Sequence, residues 1–334
     1  MSHIPSGATD GEKKHVQWNT SSSQKPQTDS QQEFDTLVLS GGGILGTAQL
    51  GVCWELERRG VLGGITHMIG TSIGALICAL MAMRFPVLTI EEYLTGRQVF
   101  EMAFETPDMS NHLFGCHEAL HTSLSFFVER VLGPGGATVS FADVEACWGV
   151  RLGIVAVDYA RQDVCVFDPT TTPHMSVLDA VTASMAYPEL VGPLRPGDTD
   201  RVYLDGGLLY NFPIAEAPGP TTLGICVASP FACDQPIESD TTPPRLAVRL
   251  AHWVNYVATC ANTLYLRLRG FPDGDMDDGI QATILRIPRH PDFGPLDMHH
   301  DRQTLKRLFD HGKACVATAI TAASPSESSC ESEE

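Results

Sequence analysis

Two glycine-containing turns, each between a short apolar run and a helical pattern, constrain the fold of this chain most strongly. The first apolar run covers residues 34–40, and a helical pattern follows at about 47–59. A second apolar run at 67–69 leads into an apolar helical pattern that starts at Ile73. Strands and helices that alternate at this spacing are typical of a parallel β-sheet with helices packed on its faces. The sequence therefore predicts an α/β fold with a mostly parallel central sheet.

The remainder of the chain continues this alternation and ends in two polar segments. Further apolar runs predict strands at 151–157, 163–167, 201–204, 223–228 and 283–287. Helical patterns cover most of 85–140 and the stretches 245–268 and 301–320. Residues 1–33 and the acidic tail 324–334 are polar and lack a hydrophobic period, which predicts disorder. One folded domain over 34–323 is expected.

The distribution of charge limits the kinds of partner. The formal net charge is -18, and it is spread over the body and the acidic tail without any basic block. Nucleic acid is not expected as a partner, because phosphate binding needs a concentrated positive surface. The same acidity disfavours electrostatic docking on anionic lipid, so contact with a membrane would rely on apolar surface.

Apolar segments and cysteines indicate where such a protein works. No apolar run reaches the roughly 18 residues of a transmembrane helix, and the run at 73–83 is expected to be a buried core helix. Residues 1–10 lack the basic start and apolar stretch of a secretory signal. The 10 cysteines form no CxxC pair, which is typical of free thiols in a reducing compartment. These features predict a cytoplasmic protein, peripheral where it meets membranes.

The first turn has the sequence GGGILG and fits the spacing GxGxxG through Gly41, Gly43 and Gly46. A dinucleotide-binding turn also needs an acidic residue at the end of the next strand, and that strand ends in Gly-Thr-Ser. A P-loop needs Gly-Lys-Ser/Thr, which the chain lacks, so no nucleotide cofactor is expected. The remaining function is an anion hole. The amides of Gly41, Gly42 and Gly43 at a helix N-terminus would stabilise a developing oxyanion.

The second turn, GTSIG, places Gly70 and Gly74 on either side of Ser72 in a GxSxG motif. In a strand–turn–helix context the central serine of this motif is strained and exposed as a nucleophile, and small flanking residues relieve crowding. The motif alone arises easily by chance, so its position between a strand and a helix gives it weight. Ser72 is the candidate nucleophile.

The base that would activate this serine is harder to find. Histidine is the usual partner, but none of the 12 histidines stands in an obvious position at a strand end. Asp205 is an alternative base because it follows the predicted strand 201–204, and Gly206 and Gly207 allow close backbone approach. The simpler explanation is a β-turn, since Asp-Gly is a common turn pair.

These three turns, in this order and spacing, resemble those of the patatin-like phospholipase family. Two further segments carry the resemblance: ASMAYP at 183–188 is similar to the family's Ala-Ser-x-x-x-Pro block, and NFP at 211–213 to its Asn-x-Pro segment. The resemblance covers about 34–320. It implies a three-layer α/β/α fold, with neither a metal nor a catalytic histidine.

The same resemblance implies a mechanism and a substrate. Ser72 would be the nucleophile and Asp205 the base of a Ser–Asp dyad, with the oxyanion hole at the amides of residues 41–43. The reaction would hydrolyse a phospholipid or related ester through an acyl-enzyme, at a membrane or lipid interface. Family members often carry Arg or Lys before the last glycine of the first turn, where this chain has Leu45. This departure predicts weaker oxyanion stabilisation or a different head-group preference.

A competing motif suggests a zinc hydrolase. His117, Glu118 and His121 match HExxH, in which two histidines one helical turn apart bind zinc and the glutamate acts as base. The longer metzincin pattern fails, because Leu124 occupies its glycine position and no third histidine follows. The segment equally predicts an amphipathic helix whose apolar face would consist of Leu120, Leu124, Phe127 and Val131. A third zinc ligand would have to be Glu129 or Glu145.

Two further alternatives remain. The Asp-rich run within 273–278 looks like a calcium loop but lacks the 12-residue spacing with a closing Glu, so no metal is expected there. A scaffold that keeps the fold without turnover is the non-catalytic alternative, and Leu45 is the feature in its favour.

Overall fold

The apolar runs of the sequence form the strands of one sheet in the computed structural model of the protein. The described residues are 34–96, 117–161, 163–187, 191, 194, 201–217, 219–227, 281–288, 290, 293–294 and 301–323. The predicted helix at 245–268, the Asp-rich run and the two predicted disordered ends lie outside these residues.

The strands lie close to the predicted positions. They are β1 (Thr36–Leu39), β2 (His67–Thr71), β3 (Arg151–Asp158), β4 (Asp163–Phe167), β5 (Tyr203–Asp205), β6 (Thr222–Val227) and β7 (Thr283–Ile287). Their order is β4-β3-β2-β1-β6-β7, with β5 paired to β3. The pairs β1–β2, β1–β6, β2–β3 and β6–β7 are parallel, whereas β4 and β5 run antiparallel to β3. The prediction of a mostly parallel sheet is confirmed.

The helices are α1 (Gly46–Arg58), α2 (Ile73–Ala82), α3 (Val87–Thr95), α4 (His117–Leu132), α5 (Phe141–Trp148), α6 (Val177–Ser184) and α7 (Arg302–Ala323). The helical pattern predicts all of these except α5 and α6. Both of those begin at a serine cap, because the Oγ atoms of Ser140 and Ser176 accept from the amides of Asp143 and Asp179. Within the described ranges, no helix combines the length and the apolar character that a membrane span requires.

Alternate residues of the strands fill separate cores on the two faces of the sheet. In β1, Leu37 and Leu39 join the main core, whereas Val38 joins a smaller core on the opposite face. Successive strand side chains point to opposite faces, so both faces must be covered. Residues of α1, α2, α3 and α6 cover the first face. Tyr210 and Ile214, in a segment with short 3-10 helices, cover the second. The expected three-layer α/β/α architecture is confirmed.

Helix α7 packs closely along α1. A Cβ atom added to Gly51 would collide with the carbonyl oxygen of Phe309, and one added to Gly312 would collide with that of Ala48. Trp54 packs edge-on against Phe309, with 6.4 Å between the ring centroids. Because only glycine permits this approach of the two backbones, α7 holds α1 firmly in place.

One edge of β3 holds the ends of two strands. Thr71, the last residue of β2, lies opposite Val155, and Asp205, the last residue of β5, lies opposite Ala156. Since β4 occupies the other edge of β3, β2 and β5 lie end to end along the same edge. The residue that follows Thr71 is therefore brought next to Asp205.

Candidate active site

Ser72 stands at a sharp turn between β2 and α2, with φ 54° and ψ -122°. In the described part of the chain, Arg84 is the only other non-glycine residue with positive φ. Such a conformation costs roughly 1–3 kcal/mol and is found mostly at functional sites. The flanking glycines permit the turn, because a Cβ atom at Gly70 would lie 2.5 Å from the carbonyl oxygen of Gly74. This is the strained serine that a GxSxG turn between a strand and a helix predicts.

The structure brings Ser72 and Asp205 together. Ser72 Oγ donates a hydrogen bond of 2.6 Å to Asp205 Oδ2. The pairing follows from the sheet, because β2 and β5 meet end to end on β3 and deliver the two residues to one point. The second carboxylate oxygen, Oδ1, accepts from the amide of Gly207 at 2.7 Å. The Asp-Gly-Gly segment therefore forms the turn after β5 and also orients the carboxylate of Asp205.

Burial changes the acidity of Asp205. The residue is 3% exposed, and its pKa is raised from 3.8 to about 7, chiefly because burial removes water from the carboxylate. Hydrogen bonds from Ser72 and from the amide of Gly207 lower the pKa and offset part of this rise. A carboxyl group with a pKa near 7 is a far better base for a serine hydroxyl at neutral pH than an ordinary aspartate.

Ser184 holds the backbone of Ser72. The amide of Ser72 donates to Ser184 Oγ at 2.8 Å, and Ser184 Oγ donates to the carbonyl oxygen of Val155 at 2.5 Å. Ser184 belongs to the Ala-Ser-x-x-x-Pro block, but the motif alone does not indicate what its side chain does. No local pattern could have indicated this role, since its partner lies 112 residues away in the chain.

The glycine turn lies directly beside Ser72, since a Cβ atom added to Gly41 would sit 3.3 Å from the Cβ of Ser72. Its three amides differ in their partners. The N–H of Gly41 donates to the carbonyl oxygen of Asn211 at 2.9 Å and is therefore already engaged. In the part of the chain that the structure describes, the N–H groups of Gly42 and Gly43 have no hydrogen-bond acceptor. Of the three amides predicted as oxyanion donors, those of Gly42 and Gly43 are therefore the ones without an acceptor among the described residues.

Asn211 joins the Asp-Gly-Gly segment to the glycine turn. Its carbonyl accepts from the amide of Gly41, and its side-chain Nδ2 lies 3.5 Å from the carbonyl oxygen of Gly41. One residue earlier, the Tyr210 carbonyl accepts from Thr71 Oγ1 at 3.1 Å. The segment after β5 therefore contacts both turns. In the sequence, Asn211 is visible only as a motif position, so this contact could not be predicted from it.

The family model for patatin-like phospholipase matches residues 37–218, which is more than half of the chain. The matched region contains Ser72, Ser184, Asp205 and Asn211. This chain belongs to the patatin-like phospholipase family. The resemblance inferred from the motifs is confirmed, and β6, β7 and α7 lie beyond the matched region.

Individual relatives of this patatin-like chain are distant. Uncharacterized protein R571 of Acanthamoeba polyphaga mimivirus is 27% identical over 201 residues, covering 57% of this chain and 63% of R571. Probable lipid hydrolase 463L of Invertebrate iridescent virus 6 is 25% identical over 188 residues, covering 54% of this chain and 62% of that protein. The match thus spans less than two thirds of either relative. VipD from Legionella pneumophila shares the fold, with a TM-score of 0.52 and 14% identity over 86% of this chain and 67% of VipD.

Leu45 is the position at which this chain departs from the basic residue frequent in patatin-like proteins. It is 4% exposed and packs in an apolar cluster with Ile44, Phe293, Leu305 and Leu308. Two of these partners belong to α7. The glycine turn is therefore anchored to α7 by apolar contacts at the position where a cation is expected.

The HExxH segment forms the first turns of α4, and its second histidine contacts Asp179 near the start of α6. His121 Nε2 lies 3.0 Å from Asp179 Oδ1, and His121 Nδ1 lies 3.4 Å from Ser125 Oγ. The side chain of His117 lies outside the described residues. Among the side chains that are described, no three His, Cys, Asp or Glu residues are grouped to hold a metal ion.

The two remaining zinc candidates lie on the surfaces of two different helices, α4 and α5. Glu129 and Glu145, the proposed third ligands, are both exposed. Leu120 and Leu124 are buried in the main core, which confirms the amphipathic alternative, although Val131 on the expected apolar face is 42% exposed.

Proposed function

We propose that this patatin-like chain is a serine acyl hydrolase that cleaves ester bonds of phospholipids or related lipids. The observation that carries the proposal is the 2.6 Å hydrogen bond from Ser72 Oγ to the buried carboxylate of Asp205. A strained serine bonded to a base is the arrangement that nucleophilic catalysis needs. Family membership, and the relative named a probable lipid hydrolase, support a lipid as the substrate class.

The first half of the proposed reaction forms an acyl-enzyme. Ser72 Oγ attacks the carbonyl carbon of the ester while its proton passes to the Asp205 carboxylate. The negative charge that develops on the carbonyl oxygen is stabilised by the N–H groups of Gly42 and Gly43. The tetrahedral intermediate then collapses, the bond to the alcohol oxygen breaks, and the leaving alcohol takes the proton from Asp205.

The second half releases the acyl group. A water molecule attacks the acyl carbon and gives a proton to Asp205, and the same two amides stabilise the second oxyanion. The bond to Ser72 Oγ then breaks, and Asp205 returns its proton to Ser72 as the fatty acid leaves. No step in this sequence requires a histidine or a metal ion, because Asp205 takes and returns each proton.

The substrate is expected at a lipid surface. The proposal is phospholipase A-type hydrolysis by a cytoplasmic protein that reaches lipid at a membrane or droplet interface. The apolar surroundings of Leu45 place no cation at the position where patatin-like relatives often have one. A preference for lipids with neutral or zwitterionic head groups is consistent with that apolar environment and with the acidic chain.

The test labels the nucleophile and follows the product. A fluorophosphonate probe is expected to modify Ser72, identified by peptide mass spectrometry, in the wild type and in Ser125→Ala. Ser125 is a matched control because it is a serine beside a titratable side chain, His121, on the surface of α4. Ser72→Ala is expected to lose both the label and the release of fatty acid from phosphatidylcholine vesicles.

Two outcomes would decide against the proposal. A wild-type protein that neither reacts with the probe nor releases fatty acid favours the non-catalytic scaffold. Labelling of another residue, with activity retained in Ser72→Ala, assigns the chemistry elsewhere. Lipid profiling of the products with wild type and Ser72→Ala then identifies which ester is cleaved.

A further inference from the structure

A buried polar network lies behind the glycine turn, on the side of α1. Gln49 of α1 is fully buried. Its Nε2 donates to the carbonyl oxygen of Ser40 at 2.9 Å and to Ser40 Oγ at 2.8 Å. The next residue along the helix, Leu50, belongs to the apolar core. An amide in such surroundings loses its hydration, and an apolar side chain would avoid that cost.

The contacts fix the orientation of the Gln49 amide. A carbonyl oxygen can only accept, so the amino group of Gln49 must face Ser40. The side-chain oxygen Oε1 is consequently buried with no hydrogen-bond partner among the described residues. An unpaired buried polar atom destabilises a fold, and such atoms are few in native proteins. The position is therefore one where folding alone favours a different residue.

The hydroxyl of Ser40 connects the fixed amide of Gln49 to the glycine turn by hydrogen bonds. Ser40 Oγ accepts from Gln49 Nε2 and from the amide of Val227 at 3.2 Å. With these acceptor sites occupied, its proton is directed to the carbonyl oxygen of Gly41 at 3.0 Å. The hydroxyl has two acceptor sites and one proton, so each of its bonds is accounted for.

The direction of the Gly41 carbonyl determines the direction of the next amide. The C=O of Gly41 and the N–H of Gly42 belong to one planar trans peptide and point in opposite directions. The carbonyl oxygen also lies 3.5 Å from Asn211 Nδ2, which is a longer contact than its 3.0 Å bond from Ser40 Oγ. A carbonyl held by the shorter bond to Ser40 turns the Gly42 N–H to the opposite side of the turn. Gly41 itself lies against Ser72, so the turn carries this amide beside the nucleophile.

We propose that Gln49 and Ser40 are positioning residues of the oxyanion hole: Gln49 orients the Ser40 hydroxyl, which holds the Gly41 carbonyl and so aims the Gly42 N–H. This inference rests on the proposed acyl hydrolase function. It explains why an amide occupies a core position of α1, and it assigns a role to two residues outside the expected motifs.

The test replaces the amide with an apolar side chain of similar shape. Gln49→Met is expected to lower kcat roughly tenfold to hundredfold, because a small misplacement of a catalytic group has that effect. KM is expected to stay within about twofold, since the oxyanion donors act mainly on the transition state. Leu50→Met, a buried and volume-conserving change one residue along, is the matched control and should leave both constants unchanged.

A second variant separates positioning from general damage to the fold. Ser40→Ala is expected to lower kcat to a similar extent, and the double variant should be no worse than the poorer single variant, because the two residues act in one chain of contacts. Ser40→Ala leaves the buried amide of Val227 and one N–H of Gln49 unpaired, so its melting temperature should fall by a few degrees. Its circular dichroism at the assay temperature should match that of the wild type, which shows that the assayed protein is folded. This small truncation decides the matter if Gln49→Met fails to fold.

The outcomes distinguish this inference from the proposed function. If the wild type hydrolyses ester through Ser72 but folded Gln49→Met and Ser40→Ala keep the wild-type kcat, the positioning role is wrong and the hydrolase remains. Equal loss of kcat in Leu50→Met also overturns it. A wild type without Ser72-dependent hydrolysis overturns the proposed function, and this inference with it.

Discussion

Two aspartates, each bonded to the side chain of a catalytic motif, have opposite surroundings in this molecule. Asp205 meets the serine of GxSxG inside the protein and is 3% exposed. Asp179 meets the second histidine of HExxH between α6 and α4, and its side chain is 39% exposed. The two contacts have similar lengths, 2.6 Å and 3.0 Å. Motif and distance therefore do not distinguish the proposed catalytic pair from a surface pair.

The two pairs differ in their exposure to solvent and in the conformation of the backbone that carries them. Burial raises the pKa of Asp205 to about 7, whereas water competes for the exposed contact between Asp179 and His121, and exposed polar contacts of this kind contribute little. Ser72 is also held in a strained turn, whereas His121 and Ser125 stand on a regular helix. A reactive site of this kind needs a buried carboxylate and a constrained nucleophile together, and only the first region has both within the described residues.

The largest expected difference between the two regions is in turnover. Asp205→Asn keeps the shape of the side chain but cannot take the proton of Ser72, so kcat should fall roughly 10³- to 10⁴-fold. Asp179→Asn is the matched control and should stay within about twofold of the wild type. Ester hydrolysis by both purified variants measures this. Comparable losses in the two would mean that burial does not distinguish them.

The second expected difference is in stability. The pKa of Asp205 is 3.8 when water surrounds it and about 7 in the fold, so the folded state binds the proton more tightly. This contribution is complete below pH 3.8 and is lost as pH rises through 7. Between pH 4 and pH 8 the free energy of unfolding of the wild type should therefore fall by roughly 4 kcal/mol relative to Asp205→Asn. Urea unfolding at a series of pH values measures it, and parallel curves for the two proteins would contradict it.

A third expectation compares the two ends of α6. Ser184→Ala removes the acceptor of the Ser72 amide at the end of the helix, so kcat should fall roughly tenfold to hundredfold. Ser176→Ala removes the cap at the start of the same helix and should cost about 1 kcal/mol of stability with activity within twofold. Steady-state kinetics together with urea unfolding test the pair. Equal kinetic losses would indicate that helix stability matters, and not the contact with Ser72.

The smallest effect is expected at the HExxH segment. His121→Ala removes the contact with Asp179 on the surface and should leave ester hydrolysis within about twofold of the wild type. Exhaustive chelation of the wild type is expected to have no effect either. Metal analysis of the purified protein accompanies the assay. If chelation abolished the activity and added zinc or calcium restored it, the result would support a metal-dependent hydrolase.

The sequence predicts the first half of the sheet well, for a physical reason. Apolar runs for β1 and β2, glycines at their ends and an apolar helix from Ile73 are local signals, and local signals survive in the sequence. The helices α5 and α6 are not predicted from hydrophobic periodicity, because each is too short to show a clear period. Their serine caps, with an aspartate three residues on, were the available signal.

The details of the candidate site are less accessible because its contacts are distant in sequence. The engagement of the Gly41 amide by Asn211 joins residues that share no local pattern. The apolar surroundings of Leu45 come from α7, near the other end of the described chain. The residues of a turn can therefore be recognised in a single sequence. Which of their amides and side chains have partners elsewhere in the chain can be known only from the folded structure.

The end-to-end meeting of β2 and β5 on β3 has a consequence for biosynthesis. Ser72 and Asp205 are 133 residues apart in the chain, so the ribosome completes the nucleophile turn well before the base exists. At ordinary translation rates this interval lasts on the order of 10 seconds. During that time a nascent chain carries its serine without a carboxylate to activate it. In the proposed mechanism, hydrolysis could therefore begin only after β5 has been made and has docked on β3.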